Sequence, residues 1–95
     1  MAVRAVAAGT AAGRDLIIGG FDISNDIIGG IESGDIAFTV DQQQYVQGYL
    51  TIVLLYLYNT NLNTVGGGLP ILTGPGFVDT ENVGEVQALV EAGTR

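Results

Sequence analysis

No cysteine and no histidine occur anywhere in the chain. Zinc and iron–sulfur centres of the usual kind, thiol catalysis and any triad that needs an imidazole are thereby excluded, and the redox compartment is left unmarked. Lysine is missing too. The cations are three arginines, Arg4, Arg14 and Arg95, set against ten acidic residues for a net charge of −7. A surface with so few cations cannot neutralise a row of phosphates, which argues against nucleic acid as a partner. Apolar runs of membrane length are absent as well. The most apolar stretch, Tyr49–Tyr58 (YLTIVLLYLY), is too short to cross a bilayer and lies too far from the N-terminus to be a signal peptide.

What the chain has in excess is glycine, 15 in 95 residues, about twice the usual share. Most sit at the ends of apolar runs and so read as punctuation within one small domain, near the size where a single core is only marginally stable. The organising stretch is Asp15–Gln42, DLIIGGFDISNDIIGGIESGDIAFTVDQ. Two apolar runs, Leu16–Phe21 and Ile36–Val40, close on Asp22 and on Asp41-Gln42. Short β-rich runs with a helical spacer predict a βαβ unit with parallel, buried strands, hence an α/β fold. In such sheets ligands sit beyond the carboxyl ends of the strands, where Asp22, Asp41 and Gln42 fall.

Taken in order, the Ala-rich residues 2–12 predict a helix ending at Gly13. An uncapped helix is an odd beginning for a domain, and Met1 reads as an internal or alternative start. A strand over Asp15–Phe21 follows, then a helix capped by Ser24 or Asn25, running to Glu32 and ending at Gly34. Its two central glycines each weaken it by about 1 kcal/mol relative to alanine. Asp35–Val40 is the second strand, and Gln42–Asn59 a long helix whose second half is apolar all round and must be buried on several sides. Asn59–Gly68 is turn-rich, Leu69–Thr73 an edge-type strand with Pro70, and Gly74-Pro75-Gly76 a break. A last helix, Glu81–Ala92, is capped by Asp79 or Thr80, buries Val83, Val86, Leu89 and Val90 on one face, and ends at Gly93.

Few residues could carry chemistry. An ionised Asp22 at a strand end can accept hydrogen bonds from two neighbouring hydroxyls of a sugar, or simply cap the turn at Ser24–Asp26. Gln42 offers a donor and an acceptor at the matching strand end, or is the polar start of a helix. Asp41 either joins it or favours the helix N-terminus through the dipole. Gly66-Gly67-Gly68 and Gly74-Pro75-Gly76 lack the Walker spacing and a lysine, so nucleotide binding is not indicated. Asp22, Asp26, Glu32 and Asp35 do not match a calcium loop. The tyrosines at 45, 49, 56 and 58 read as core or interface.

The order IIGGFD, IESGDIAFTVDQ, QYVQGYLTIVLLYLY and ILTGPGFVDTENV resembles the C-terminal third of the substrate-binding proteins of sugar ABC transporters, the ribose-binding type. The resemblance implies part of a periplasmic-binding-protein type I fold, with a Rossmann-like lobe. Residues 1–41 would belong to the C-terminal lobe, 42–68 would cross the hinge and place a helix and loop in the N-terminal lobe, and 69–95 would return as a strand and terminal helix. It implies a carbohydrate-binding component, not an enzyme, without a cofactor, periplasmic or extracellular and membrane-anchored, with a permease as partner of the full-length parent. Asp22 and Gln42 would hydrogen-bond the hydroxyls of a monosaccharide. Related transcription repressors share the GFD-like turn but carry a DNA-binding headpiece, and usually a proline-containing run where this chain has GDIAFTVDQQQ. Family members are several times longer, so the resemblance makes this chain a fragment or one that completes its sheets by self-association.

Self-association also follows from Tyr49–Tyr58, where Thr51 is the one polar residue. A helix with apolar surface on every side is a partner site or an aggregation liability. Charge repulsion opposes association, but salt screens it over about 8–10 Å and leaves apolar burial intact. The chain is expected to be oligomeric near physiological ionic strength, with Leu54→Lys or Leu57→Glu shifting it towards monomer. Light scattering coupled to size exclusion tests this, and a stable folded monomer of the unmodified chain across salt concentrations rules it out.

Overall fold

The computed structural model describes residues 1–95. Its elements are helix α1 (Ala2–Ala11), strand β1 (Gly19–Phe21), helix α2 (Asn25–Glu32), strand β2 (Phe38–Asp41), helix α3 (Gln44–Asn61), a 3-10 turn at Gly66–Gly68, strand β3 (Gly76–Asp79) and helix α4 (Val83–Glu91). The sheet runs β1-β2-β3 with β2 central. β1 and β2 are parallel, Gly19 opposite Phe38 and Phe21 opposite Val40, with α2 as the crossover. The expected βαβ unit is therefore present. β3 adds to the other side of β2 antiparallel, Phe38 opposite Asp79 and Asp41 opposite Gly76.

Alternation along the strands decides what is buried. Thr39, Asp41 and Val78 point towards α1, α2 and α4 and are fully buried. Ile27, Ile28 and Ile31 of α2 meet Val83 and Val86 of α4, Ile36 and Ala2 in one core, with Val6, Ile18, Ile23 and Val90 packed around it. Leu89, expected on the buried face of α4, stays largely exposed. α2 starts as expected, the Ser24 hydroxyl accepting the Ile27 N–H at 3.3 Å. Its costly glycines divide in role. A Cβ on Gly30 would lie 2.7 Å from Ile36 Cδ1, so Gly30 lets the helix seat on the start of β2, whereas Gly29 has no such neighbour.

Several expected bounds shift, each for a physical reason. β1 is confined to Gly19–Phe21 and β2 to Phe38–Asp41, not Asp15–Phe21 and Asp35–Val40. In the observed register Asp15–Ile17 would face Gly34–Ile36, but those residues are closing α2. Gly34 is left-handed at φ 83, and the Ile36 N–H bonds the Gly30 carbonyl at 2.9 Å. Ile17, with no strand opposite it, is 94% exposed.

Leu69–Thr73 is not a strand. The returning strand is the Gly76–Asp79 segment, because Phe77 and Val78 supply the out–in alternation that β2 requires, whereas Leu69 and Leu72 lie exposed. Asp79 therefore ends a strand and does not cap α4. Its carboxylate closes the turn by accepting the Glu81 N–H at 2.9 Å, and Asn82 stands at the N-cap of α4.

The strands are also bare on one side: Phe21, Phe38 and Phe77 are exposed on the face away from the helices, Phe38 and Phe77 with ring centroids 5.9 Å apart. α3 likewise departs from the burial expected of it. It forms, two residues later than expected, but has no buried residue. The radius of gyration is 17.2 Å where a compact chain of this length would have about 12 Å, and the long dimension is 59 Å against 26 and 20 Å. No helix is long and apolar enough to cross a membrane.

Ile31 is wholly buried and Ile17 almost wholly exposed. Ile31→Ala should cost about 2–5 kcal/mol through lost burial and the cavity left behind, and Ile17→Ala less than about 0.5 kcal/mol. Urea unfolding of both variants checks the difference.

Candidate functional site

β1 and β2 end side by side because they are parallel, and the residues just past their ends meet. Asp22 continues the β1–β2 ladder by donating its N–H to the Val40 carbonyl at 2.9 Å. The buried Thr39 hydroxyl donates to the Asp22 carbonyl at 2.7 Å. Held at both ends, Asp22 adopts a left-handed backbone, φ 68, which aspartate tolerates better than most side chains. Its carboxylate leaves the sheet edge and meets the β2–α3 turn. There Asp22 Oδ1 accepts hydrogen bonds from Gln42 Nε2 and, at 3.2 Å, from Gln44 Nε2. A carboxylate offers no donor at neutral pH, so both glutamines must present their NH2 groups to it.

Asp22 and Gln42, named from the sequence as ligand-binding residues, are thus direct partners. Asp22 serves no cap: Ser24 caps α2. Asp41 goes elsewhere. Alternation turns it to the helix side of the sheet, where its fully buried carboxylate accepts the Gln43 N–H and Arg95 Nε, each at 2.7 Å. Neither the acidic residues near α2 nor any other group of three or more His, Cys, Asp and Glu side chains is placed to hold a metal ion.

Sequence reasoning missed three members of the site. Gln44, in the first turn of α3, reads in the sequence as no more than a polar residue at the start of a helix. Gln47, in the next turn of α3, donates to the Gln42 carbonyl at 3.0 Å and reaches Thr73 Oγ1 at the same distance. Thr73 in turn donates to the Gln42 carbonyl at 2.9 Å, tying the outgoing turn to the segment returning from α3. The spacing Gln42, Gln44, Gln47 was a visible signal; Thr73 carried none, since it closes a run that reads only as an edge-type strand. Beside this junction lies an open cleft of about 510 Å³ lined by Phe21, Val40, Gln42, Gln47 and Thr73 among others. With Oδ1 occupied, Asp22 Oδ2 and the side-chain Oε1 atoms of Gln42 and Gln44 remain as acceptors with no partner in the chain. Such an arc suits a ligand rich in hydroxyl donors.

The chain aligns over 96% of its length with a carbohydrate transporter from Acidothermus cellulolyticus 11B solved in complex with myo-inositol, at a TM-score of 0.87 and 43% identity. The chain is similar, in sequence and in fold, to part of a sugar-binding protein of a carbohydrate transporter. A second relative, the xylose/arabinose-binding protein XylF of Sulfolobus acidocaldarius, is 37% identical over 71 residues, 75% of this chain. The chain spans 32% of the solved transporter chain and 17% of the xylose/arabinose-binding protein. No protein-family model matches it. Both relatives are binding or transport proteins, and the solved one has the α/β arrangement described above.

Proposed function

We propose that residues 1–95 supply one side of a monosaccharide or cyclitol site in the substrate-binding component of an ABC importer. The observation that carries this reading is the meeting of Asp22 with Gln42 and Gln44 at the carboxyl ends of two parallel strands. An ionised acceptor flanked by two amide carbonyls takes ligand hydroxyls as donors, and Phe21, exposed at the end of β1, offers an apolar surface for ring carbons. The similarity to one protein solved with myo-inositol and another named for xylose and arabinose supports the same ligand class. On this reading residues 1–41 belong to one lobe, 42–68 cross to a second and 69–95 return. The whole protein works outside the cytoplasm, in a periplasm or anchored at the outer membrane surface, and delivers its sugar to a permease.

A second reading, self-association of the bare chain through α3, is favoured by the absence of any buried residue on that helix. Tyr45, Tyr49, Ile52, Leu55, Tyr56 and Tyr58 are half to two-thirds exposed. Of these, Tyr45, Tyr49, Ile52 and Tyr56, spaced four, three and four residues apart, share one face of the helix. Residues 42–78 carry no charge at all, so the repulsion of the −7 chain is concentrated away from that surface. Leu54 and Leu57 are only partly exposed, so Ile52→Lys is the sharper substitution for the light-scattering measurement.

For the sugar site, the matching third of the myo-inositol-binding transporter protein is replaced by residues 1–95 and the chimera titrated calorimetrically with myo-inositol. Binding is expected, and Asp22→Ala should weaken it about ten- to a hundredfold, the loss of one charged hydrogen-bond partner at roughly 1.5–3 kcal/mol. Gln42→Ala should lose less, since its bonds are neutral. Unchanged affinity in Asp22→Ala sinks the reading. The 95-residue chain alone should bind only at millimolar sugar, because one side of a site leaves most ligand surface in water.

A further inference from the structure

Asp41 is the one fully buried carboxylate, and neither ligand contact nor the β-ladder requires its charge. Burying an ionised group is costly unless it is paired and hydrogen-bonded, and Asp41 is both: Oδ2 faces Arg95 Nε and Oδ1 faces the Gln43 N–H. Gln43 is the residue that makes the turn. It sits in the left-handed region at φ 57 and ψ 58, sterically disfavoured for a side chain of its kind, and its backbone N–H is the group Asp41 holds. Gln42 and Gln44 flank Gln43, and both deliver their amides to the single oxygen Asp22 Oδ1. Were Gln43 to relax to negative φ, the chain on either side would rotate, and the two glutamines could no longer converge.

We propose that Asp41 and Arg95 form a positioning pair that locks the left-handed turn at Gln43 and thereby aims Gln42 and Gln44 at Asp22. The carboxylate of Asp41 is buried on the helix-covered face of the sheet, and the pair acts through the Gln43 backbone. Its pairing matters as much as its shape. The Arg95 guanidinium compensates the buried carboxylate of Asp41, whose other oxygen holds the Gln43 N–H at 2.7 Å. The inference deepens the sugar-site reading and rests on it for its functional consequence, while the geometry of the turn stands without it.

The test uses the 95-residue chain labelled with nitrogen-15, reading the side-chain NH2 resonances of Gln42 and Gln44 and the backbone N–H of Gln43. Asp22→Ala identifies the shifts that come from donation to its carboxylate. Asp41→Asn and Arg95→Gln are expected to move all three groups, with the two side-chain amides falling back towards free glutamine. Arg95→Lys, which keeps the charge, should retain most of the unmodified pattern. Myo-inositol added at millimolar concentration should perturb the Gln42 and Gln44 amides in the unmodified chain and in Arg95→Lys, and at least fivefold less in Arg95→Gln. Unchanged glutamine amides in a folded Arg95→Gln overturn the proposal, and so does general unfolding of that variant, which would make the pair a prop of the whole fold. Loss of the amide pattern in Arg95→Gln together with no response of the unmodified chain to myo-inositol upholds the positioning pair and counts against the sugar reading instead.

Discussion

Two polar side chains on the central strand, Thr39 and Asp41, point into the helix-covered side of the sheet and are wholly buried there. A buried polar group has to be satisfied, and the satisfaction of these two shapes everything beyond the strand ends. Thr39 spends its hydroxyl on the Asp22 carbonyl and so pins the end of β1. Asp41 spends its carboxylate on the Gln43 N–H and Arg95 and so pins the turn that opens α3. The intervening Val40 holds the Asp22 N–H from its backbone. The segments that carry Asp22 and Gln42 are therefore set from behind, by side chains buried on the helix-covered side of the sheet.

The relation between sequence and structure divides along the same line. Features written locally were legible: the Ser24 cap, the period of Ile27, Ile28 and Ile31 in α2, the two apolar runs with a helical spacer, and the acid and amide left at their ends. Because strand direction in a βαβ unit is fixed by its crossover, the placing of Asp22 and Gln42 at matching strand ends followed from position alone, whereas the bond between them did not. Features that depend on pairing across the sheet were not legible. Where β1 and β2 begin is decided by Gly34–Ile36 closing α2 opposite Asp15–Ile17, and nothing in either run alone records that register. The returning strand hid behind Gly74-Pro75-Gly76, since the alternation of Phe77 and Val78 is too short to outweigh such strong turn residues. Arg95, far along the chain from Asp41, could not be matched with it by any spacing rule.

The distribution of apolar surface tells of a sheet built for cover on both faces. α1, α2 and α4 cover one side, and the phenylalanines at 21, 38 and 77 stand on the other. Gly19, opposite Phe38, has no room for a side chain: a Cβ there would lie 2.6 Å from the ring of Phe38. The aromatic therefore lies across the glycine and smooths that face into a continuous apolar strip. Together with α3 this gives the chain two uncovered surfaces of the same chemical kind, one on a rigid sheet and one on a projecting helix.

The junction of Gln42, Gln47 and Thr73 has a mechanical meaning. The carbonyl of Gln42 is the common acceptor for the first turn of α3 and for the returning segment, while its side chain meets Asp22. α3 is about 27 Å long at 1.5 Å per residue, so it acts as a lever whose fulcrum is a residue of the candidate site. A swing of roughly 10° about that fulcrum would carry the far end of the helix through about 5 Å. Any force that displaces Gln42 is thus geared up along the helix, and any torque on the helix is returned, reduced in amplitude, to the amide that faces Asp22.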